Sequence, residues 1–403
     1  MVVVDGGTAR NGASFGHSAG IAVTWVSPQG LPGLLRRLPR WLLDPLGPVA
    51  VRWPHLLRLV PWLMRFERYR TPAQIRRIGG ALASLMDLAW PAWEGLLDDI
   101  GASDLVRHDG SLTAYRTTGD LEGDWFPWAM RRDHGHEVIV VEGHELHEME
   151  PALSGDYGIA VHEPAAKWCE DPLAIIDGLH EGLAARDGAI HRGTVTSIVA
   201  DSGRVRALRT SAGWLEVGDL VIAAGAWSQR LAGQLGHRVP LESERGYHAD
   251  LPTPGVLPRR ILALAPYKMV ATPLRSGLRL AGTAEFGGLD APPDYGRARA
   301  LVTNGARALH GLDATGHSEW AGHRPILPDS LPVICRSPNH ENVFFAFGHS
   351  HIGFTLGPLT GELIAELVTG EAPRVDLDPF AIDRFPNRPW TRPDEPAQAY
   401  LRA

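Results

Sequence analysis

Three short apolar runs stand near the beginning, in the middle and near the end of the chain. They are Val2–Val4 followed by Asp5, Asp219–Ala224, and Val343–Phe347. Runs of this length without polar alternation are typical of strands buried in a parallel sheet. The last run is followed by Thr355–Thr369, where apolar residues recur at helical spacing. We therefore predict that the three runs belong to one sheet and that this helix packs against it.

The regions between these runs predict further elements. Asp171 followed by Pro172 is a typical helix start, and this helix is predicted to end near Arg186. A longer amphipathic helix is predicted from Pro72 to Ile100. The other predicted elements are a strand at Val138–Val141, a helix at Glu145–Met149, a hairpin of Ala189–Ala200 with Arg204–Thr210, antiparallel strands between Leu241 and Thr283, and a helix at Tyr295–Leu309. The Gly- and Ser-rich residues 6–20 are predicted to lack regular structure, and the Pro-rich tail after Glu371 to be only partly ordered.

Length and composition narrow the class of protein. A chain of 403 residues exceeds the size of one hydrophobic core, so we expect two domains. The formal net charge of -7 disfavours a nucleic-acid-binding protein. Cys169 and Cys335 are too few for a disulfide framework or a cysteine-based zinc site. The sequence shows neither a signal-peptide pattern nor an apolar run of about 18 residues, so we expect a cytoplasmic protein.

The first apolar run lacks the neighbour that it normally has. An apolar strand ending in an acid, such as Val2–Asp5, is typical of the second strand in a dinucleotide-binding βαβ unit, where G-x-G-x-x-G precedes it. That motif occurs nowhere in the 403 residues. We therefore expect Met1 to be an internal position of a longer coding sequence that contains the first strand and its Gly-rich turn. We also expect the sequence as given to hold a dinucleotide poorly.

Residues 31–77 are rich in arginine and tryptophan. Acidic residues are limited to Asp44 and Glu67 in this segment. The basic and tryptophan residues are Arg36, Arg37, Arg40, Arg52, Arg58, Arg65, Arg68, Arg70, Arg76, Arg77, Trp41, Trp53 and Trp62. A helical flap with solvated arginines is the favoured interpretation, and peripheral contact with a membrane is the alternative.

Two motifs are weighed and set aside. Gly16-His17-Ser18-Ala19-Gly20 matches the G-x-S-x-G nucleophile elbow, but too few residues precede it to build the sheet that this elbow requires. A serine hydrolase acting through Ser18 is therefore a distant alternative. The acidic, histidine-rich segment 144–150 lacks the H-E-x-x-H spacing of zinc proteases, so we predict a solvated helix and no metal site.

Glycines and small residues cluster after two of the apolar runs. Ala224 and Gly225 follow the middle run, where small residues let a ligand approach the end of a strand. Phe347–Gly361 joins the last run to its helix, and backbone N–H groups at a helix start suit an anion or an electron-rich ring. Trp320–Asp329 is the third segment of this group.

The chain resembles the FAD-dependent D-amino acid oxidase and dehydrogenase family, and within it the bacterial D-amino acid dehydrogenases. The resemblance lies in RNGASFGHSAG (10–20), ERGYH (244–248), RLAGTAEF (279–286), GHRPILPDSLPVI (322–334) and GHSHIGFTLGPLTGELIAEL (348–367). It implies an α/β chain, α+β overall, with a Rossmann-like FAD-binding domain made of residues 1–27, 171–236 and 322–372. The implied substrate domain comprises residues 28–170 and 237–321, with a mixed or antiparallel sheet and a helical flap, and residues 373–403 form a tail.

The resemblance also implies an activity. Such an enzyme of amino acid catabolism oxidises an amino acid, in this case a D-amino acid, by hydride transfer from Cα to N5 of FAD. The imino acid product is then hydrolysed to a 2-oxo acid and ammonia. A hydroxyproline- or sarcosine-type amine oxidoreductase is the alternative within the class, and a noncatalytic remnant that cannot hold FAD is the alternative outside it.

Site residues follow from the resemblance. Arg324 is expected to bind the substrate carboxylate, with an ion pair to Asp329 or another acid as the structural alternative. Tyr247 is expected to contact the substrate, with aromatic packing as its alternative. The residues expected to bind FAD are Asp5, Ser14, Ala19, Gly20, Val195, Ala224, Gly225, Gly348, His349, Gly353, Thr355 and Leu356.

Two small departures from the family pattern are Cys335 and Ser350, each at a position that is commonly glycine. Both residues are small, so we expect flavin access to survive. Dehydrogenases of the family pass electrons to a membrane quinone and its oxidases use oxygen, and the sequence leaves both acceptors open. No role for nucleic acid is expected.

Overall fold

The computed structural model describes residues 1–30, 44 and 47–385. Predictions for Arg36, Arg37, Arg40 and Trp41, and for the tail after Phe385, lie outside the described residues.

The described residues form helices over a wide range of lengths. These are α1 Ala13–Gly16, α2 Trp53–Arg68, α3 Pro72–Asp99, α4 Thr118–Glu122, α5 Trp125–Asp133, α6 Gly143–Met149, α7 Pro172–Ala185, α8 Ser228–Gln234, α9 Gly296–Ala308 and α10 Gly353–Thr369. Short 3-10 helices lie at Ala9–Asn11, Ser103–Leu105, Gly225–Trp227, Ala265–Tyr267, Asp378–Phe380 and Ile382–Arg384.

The strands are short except in one large sheet. They are β1 Val2–Asp5, β2 Gly20–Ile21, β3 Val49–Val51, β4 Val106–Arg107, β5 Ser111–Tyr115, β6 Ile139–Glu142, β7 Ile159–Glu163, β8 Lys167–Cys169, β9 Ala189–Arg192, β10 Val195–Asp201, β11 Arg204–Thr210, β12 Gly213–Glu216, β13 Leu220–Ile222, β14 Glu242–Leu251, β15 Ile261–Leu264, β16 Met269–Leu274, β17 Gly277–Phe286, β18 Ser318–Ile326, β19 Val333–Arg336 and β20 Val343–Phe347.

The large sheet has the strand order β18-β14-β17-β16-β15-β5-β7-β6, with β3 beside β17. Most neighbours are antiparallel, which agrees with the alternation seen between Leu241 and Thr283. One face buries Tyr247, Leu280 and Met269 against Ala298 and Leu301 of α9. The opposite face borders a large cavity.

Two smaller sheets hold the three apolar runs. β13 pairs in parallel with β20, which pairs with β19, whereas β1 pairs in parallel with β9. The prediction of one sheet is therefore wrong for the described residues, because no described strand joins β1 to β13. Val221 in β13 is also 42% exposed rather than buried.

Helix α3 packs against α10 beside these sheets. Its N-cap Thr71 accepts a hydrogen bond from the Gln74 amide at 3.4 Å, and Pro72 occupies its first position. Leu82, Leu85 and other buried residues of α3 share one core with α10. The predicted helix over Pro72–Ile100 is thus confirmed.

Several other element predictions are confirmed. Asp171 caps α7, accepting hydrogen bonds from the amides of Leu173 and Ala174 at 3.1 Å. The strand predicted at Val138–Val141 is β6, and the helices predicted at Glu145–Met149, Tyr295–Leu309 and Thr355–Thr369 are α6, α9 and α10.

Two predictions need correction. Ala189–Ala200 is two strands in different sheets: β9 pairs with β1, and only β10 pairs with β11. Residues 6–20 contain a 3-10 turn and α1, because buried groups of the large sheet hold the loop. Within the tail, which is predicted to be only partly ordered, Phe380 and Ile382 are buried in the protein core.

No described helix combines the length and the apolar character that a membrane-spanning helix needs.

Candidate functional site

A cavity of about 2420 Å³ lies between the large sheet and the two smaller ones. Residues of all three apolar runs line it, among them Val4, Ile222 and Phe347. These positions are at the carboxyl ends of parallel strands, where open α/β sheets bind ligands. The cavity is therefore the candidate functional site.

Arg279 on β17 fixes the loop that borders the middle of this cavity. Its Nε and Nη2 donate to both carboxylate oxygens of Asp250, at 2.8 and 2.9 Å. Its Nη1 donates to the carbonyl oxygens of Phe15 at 2.6 Å and His17 at 3.1 Å. A buried guanidinium with this many charge-assisted hydrogen bonds holds the loop rigidly against the sheet.

The start of α10 forms one wall of the cavity. Gly348 has φ +83°, and a Cβ there would come within 2.5 Å of Leu327 Cδ1, so a side chain is excluded twice over. No side chain caps α10, and the first N–H groups of a helix carry partial positive charge. The Thr355 hydroxyl accepts a hydrogen bond from the Ala22 amide at 2.9 Å, which ties the helix to the glycine-rich loop.

The other end of the cavity lies beside β1. Asp5 is exposed, and its Oδ1 accepts a hydrogen bond from the Gly7 amide at 2.9 Å. A Cβ on Gly6 would lie 2.6 Å from Thr194 Oγ1, so β1 and the segment before β10 approach each other closely. Val195, Ala224 and Gly225 also line this end.

Arg324 projects into the cavity from β18. Its Nη1 donates to Glu244 Oε1 at 2.8 Å and to the Thr283 carbonyl oxygen at 2.9 Å. Glu244 Oε1 also lies 2.6 Å from His351 Nε2. Burial raises the pKa of Glu244, but His351 and Arg324 outweigh this effect and lower its pKa to about 2. A Cβ on Gly246 would collide with the Arg324 guanidinium, so the glycine makes room for it.

The ion pair of Arg324 is with Glu244 and not with Asp329. Asp329 is held instead by Arg384, whose Nε donates to Asp329 Oδ2 at 2.8 Å. The structure therefore shows an Arg324 that has a carboxylate partner and also borders the cavity.

Tyr247 lies on the face of the large sheet that is opposite to Arg324. Neighbouring Gly246 lines the cavity, and Tyr247 does not. Its hydroxyl donates to Glu285 and accepts from the Asp294 amide at 2.9 Å. Burial and the bond to Glu285 raise the pKa of Tyr247 to about 12. This position matches the packing alternative, and contact of Tyr247 with the substrate stays a prediction.

Most residues expected to bind FAD line the cavity. They are Asp5, Ser14, Gly20, Val195, Ala224, Gly225, Gly348, His349, Gly353 and Thr355. Ala19 and Leu356 do not line it, because both are fully buried in the packed protein. The Ala19 carbonyl oxygen instead accepts a hydrogen bond from the Cys169 amide at 2.8 Å. Burial lowers the pKa of His349 to about 4, so this imidazole is neutral at pH 7.

Sequence reasoning did not assign His17 to the site. The Ala19 amide donates to His17 Nδ1 at 2.8 Å, which places the proton of the neutral ring on Nε2. His17 Nε2 is buried, and no described residue is its hydrogen-bond partner. Burial, then Arg279 and His248, lower the pKa of His17 to about 3. His17 therefore presents an N–H donor at the edge of the cavity.

Trp320 is a second residue that sequence reasoning did not assign. Its ring lies where side chains on Gly16 and Gly322 would be, and it stacks on His248 with a centroid distance of 4.9 Å. The sequence contains both glycines, but it does not show that the Trp320 ring lies against both of them.

The two motifs that were set aside remain without a catalytic arrangement. Among the described residues, none accepts or donates a hydrogen bond to the Ser18 hydroxyl, and neighbouring His17 binds Ala19 instead. His144 forms an exposed ion-pair contact with Glu148 at 3.4 Å. No group of three potential metal ligands is found in the described part of the chain.

Comparison with known proteins identifies the family of the chain. The family model for FAD-dependent oxidoreductases of the DAO type matches residues 1–367. A D-amino-acid oxidase of Bradyrhizobium diazoefficiens is 32% identical over 378 residues, covering 93% of this chain and 90% of that protein. A D-amino acid dehydrogenase of the same organism is 28% identical over 388 residues, with the same coverage of both chains.

Solved structures show the same fold. Glycine oxidase from Geobacillus kaustophilus superposes with a TM-score of 0.71 at 21% identity, covering 95% of this chain and 91% of that one. Iminodiacetate oxidase from Chelativorans sp. BNC1 superposes with a TM-score of 0.69 at 17% identity, covering 94% and 92%. Since the family model matches most of its length, the chain belongs to the DAO family of FAD-dependent oxidoreductases.

Proposed function

We propose that this protein oxidises a D-amino acid, removing two electrons at Cα and passing them to FAD. The observation that carries the proposal is an arginine, Arg324, that borders the same cavity as the glycine-lined start of α10. The D configuration is supported by the relatives named as D-amino-acid oxidase and D-amino acid dehydrogenase.

The cavity suits FAD in shape and chemistry. It extends from the exposed carboxylate of Asp5 to the uncapped start of α10. Asp5 would bind the adenosine ribose, and the backbone of Val195 would contact the adenine. Gly348 and Gly353 would border the ring, where no side chain blocks a planar group. The buried N–H of His17 has no described hydrogen-bond partner and would supply a donor to the ring.

The remaining expected contacts are proposed on the same grounds. Ser14, Gly20, Ala224 and Gly225 would lie along the pyrophosphate and the flavin. We further propose that residues 1–27, 171–236 and 322–372 make up the FAD-binding domain, and residues 28–170 and 237–321 the substrate domain. β18 crosses the proposed boundary at residue 322 and carries Arg324 on the large sheet.

The chain's own residues would prepare the reaction. Arg324 binds the substrate carboxylate through the guanidinium edge that Glu244 leaves unused, which orients Cα. The apolar cavity disfavours a charged ammonium, so the amine binds neutral and needs no strong base. When bound, FAD supplies the two-electron acceptor for the hydride that leaves Cα. The N-terminus of α10 stabilises negative charge that develops at its edge of the cavity. Water then converts the imino acid to a 2-oxo acid and ammonia.

The proposal is tested by purifying the full chain with its flavin and assaying D- and L-amino acids with an artificial electron acceptor. We expect a flavin absorption spectrum and turnover of D-amino acids, with at least a hundredfold loss of kcat/KM in Arg324→Ala. Arg299→Ala is the matched control, because Arg299 pairs with Glu319 at the protein surface. A folded protein without flavin, or an Arg324→Ala variant with unchanged turnover, contradicts the proposal.

We also propose that α2 contacts a membrane surface, from which a quinone could accept the electrons. Trp53, Leu57, Val60 and Met64 are exposed and lie three or four residues apart, on one face of α2. The other face of the same helix is buried against the protein through Leu59 and two aromatic residues. A surface helix normally has one apolar face, which packs against the protein. The second, exposed apolar face of α2 therefore favours contact with an apolar surface such as a membrane.

Charge favours an anionic lipid as that neighbour, since exposed Arg58 and Arg68 lie on α2. The test is sedimentation with vesicles of phosphatidylglycerol and phosphatidylcholine. We expect Leu57→Glu to reduce binding by about tenfold, and Val140→Glu, at another exposed apolar position, to leave it unchanged. Equal binding of both variants contradicts membrane contact through α2.

A further inference from the structure

A second arginine borders the cavity far from Arg324. Arg324 is held by Glu244 on β14, whereas Arg131 of α5 lies against Glu163 on β7. Four strands separate β14 from β7 in the large sheet. At about 4.8 Å per strand, the two positions are roughly 24 Å apart along the sheet. A single amino acid substrate cannot reach both arginines.

The Arg131 guanidinium lies against two indole rings. Arg131 is 4% exposed, and its Cζ lies 5.1 Å from the ring centroid of Trp25 and 4.3 Å from that of Trp128. Cation–π contacts with two indole rings do not use the N–H groups of the guanidinium, which remain available to a further partner.

These N–H groups are incompletely used by the protein. Arg131 Nε lies 3.3 Å from Glu163 Oε1, an ion-pair contact whose angle does not make a hydrogen bond. No described residue accepts a hydrogen bond from Nη1 or Nη2 of Arg131. Glu163 is engaged elsewhere, because Thr24 Oγ1 donates to it at 2.7 Å. A buried guanidinium with a vacant fork is the group that binds a carboxylate through two parallel hydrogen bonds.

The charge at this end of the cavity also favours an anion. Lys268 forms an ion pair with Asp124 at 2.8 Å, and Arg131 has an ion-pair contact with Glu163 at 3.3 Å. Lys167 also lines the cavity, and its ammonium donates to the Ala165 carbonyl oxygen at 3.1 Å. No carboxylate of the described residues lies within 4.0 Å of the Lys167 ammonium. Lys167 therefore has no direct ion-pair partner among the described residues, only the Trp90 ring at 4.4 Å and the more distant charge of Glu94, and a bound carboxylate would add a closer negative charge.

We propose that Arg131 is a second carboxylate-binding site in the cavity, which takes a small planar carboxylate while Arg324 holds another. The ligand would bind the Nη1 and Nη2 groups of Arg131, beside Trp25 and Trp128. Incoming amino acid or departing 2-oxo acid has this chemistry, so the site would load or unload the cavity. The proposal goes beyond the proposed oxidation and does not depend on bound flavin.

The test is equilibrium dialysis of the flavin-containing full chain with radiolabelled benzoate. We expect two benzoates per wild-type chain and one per Arg131→Gln chain, with the flavin absorption change that reports the Arg324 position retained in the variant. Arg132→Gln is the matched control, because Arg132 is the adjacent residue of α5 and its Cζ lies 5.9 Å from the Trp125 ring centroid. It should bind two.

A second variant covers the case in which Arg131→Gln does not fold. Arg131→Lys keeps the charge beside Glu163 but lacks the planar fork, so we expect at least about tenfold weaker binding of the second benzoate. A second benzoate that binds Arg131→Lys as tightly as wild type overturns the proposal, as does a wild-type stoichiometry of one. If the chain binds no flavin, the proposed oxidation fails, but an Arg131-dependent benzoate would still establish this site.

Discussion

Glu244 is predicted to be the acid on which the Arg324 position depends. It is 7% exposed, and its Oε1 accepts hydrogen bonds from both Arg324 and His351. Glu244→Gln keeps the shape of the side chain and removes its charge. The amide oxygen can still accept from one partner, but the other partner loses its charged acceptor, and Arg324 loses its buried counter-charge.

The size of the effect follows from the pKa of Glu244, which falls from its ordinary value of 4.5 to about 2 in the folded chain. Such a shift corresponds to roughly 3 kcal/mol of folding free energy at pH 7. Because the folded pKa is the lower one, this contribution is complete above pH 4.5 and is lost as the pH falls towards 2. At pH 3 it should be roughly half of its value at pH 7 or less.

Urea denaturation of the wild type and Glu244→Gln at pH 7 and pH 3 measures this difference. We expect the variant to unfold with a free energy roughly 3 kcal/mol lower at pH 7 and a clearly smaller deficit at pH 3. Glu319→Gln is the control, because the exposed pair of Glu319 with Arg299 should contribute less than about 1 kcal/mol. A deficit below about 0.5 kcal/mol at pH 7, or one that does not shrink at pH 3, refutes this reasoning.

Three further substitutions probe the same framework. Tyr247→Phe leaves the buried carboxylate of Glu285 without one hydrogen-bond donor, so urea denaturation should show a free energy of unfolding lower by about 1 to 3 kcal/mol. KM should change by less than about threefold, and a large rise in KM would indicate that Tyr247 contacts the substrate. Gly246→Ala places a methyl group against the Arg324 guanidinium, so steady-state assays should show kcat/KM falling by about tenfold or more, and an unchanged value would contradict the packing seen here. Arg279→Lys loses the bidentate contact with Asp250, so thermal unfolding should show a free energy of unfolding lower by about 2 kcal/mol or more. A stability equal to wild type would mean that other contacts hold the glycine-rich loop.

The spacing of apolar residues predicted the helices, because helix formation depends on residues that are close together in the sequence. Helix α3 and helix α10 follow their apolar spacing, and Asp171 caps α7 as its position next to Pro172 indicates. Strand pairing was less predictable, because it depends on contacts between distant residues. Ala189–Ala200 is predicted as one strand, yet its two halves, on either side of Gly193 and Thr194, pair in different sheets.

The candidate site was predictable where backbone conformation decides the residue type. Gly348 is such a position, since its positive φ and the nearby Leu327 exclude a side chain. Side-chain direction was not predictable for Tyr247, because it depends on the phase of β14 in the sheet and a shift of one residue reverses the face. Arg131 and His17 had no sequence signal, since their properties come from burial among residues that are distant in the chain.

Three arginines of the described structure show why residue type alone does not reveal function. Arg279 is fixed by hydrogen bonds from Nε, Nη1 and Nη2, which leaves little capacity for a ligand. Arg324 is held mainly through Nη1, and no described residue accepts from its Nε. Arg131 is held by two cation–π contacts and one ion-pair contact, with both terminal nitrogens unused by described residues. Because a guanidinium binds ligands only through N–H groups that the protein leaves vacant, these arginines form a series from structural support to ligand binding. In that series Arg131 has more vacant donors than Arg324, so the distal end of the cavity should hold a carboxylate even in a variant whose substrate position is disabled.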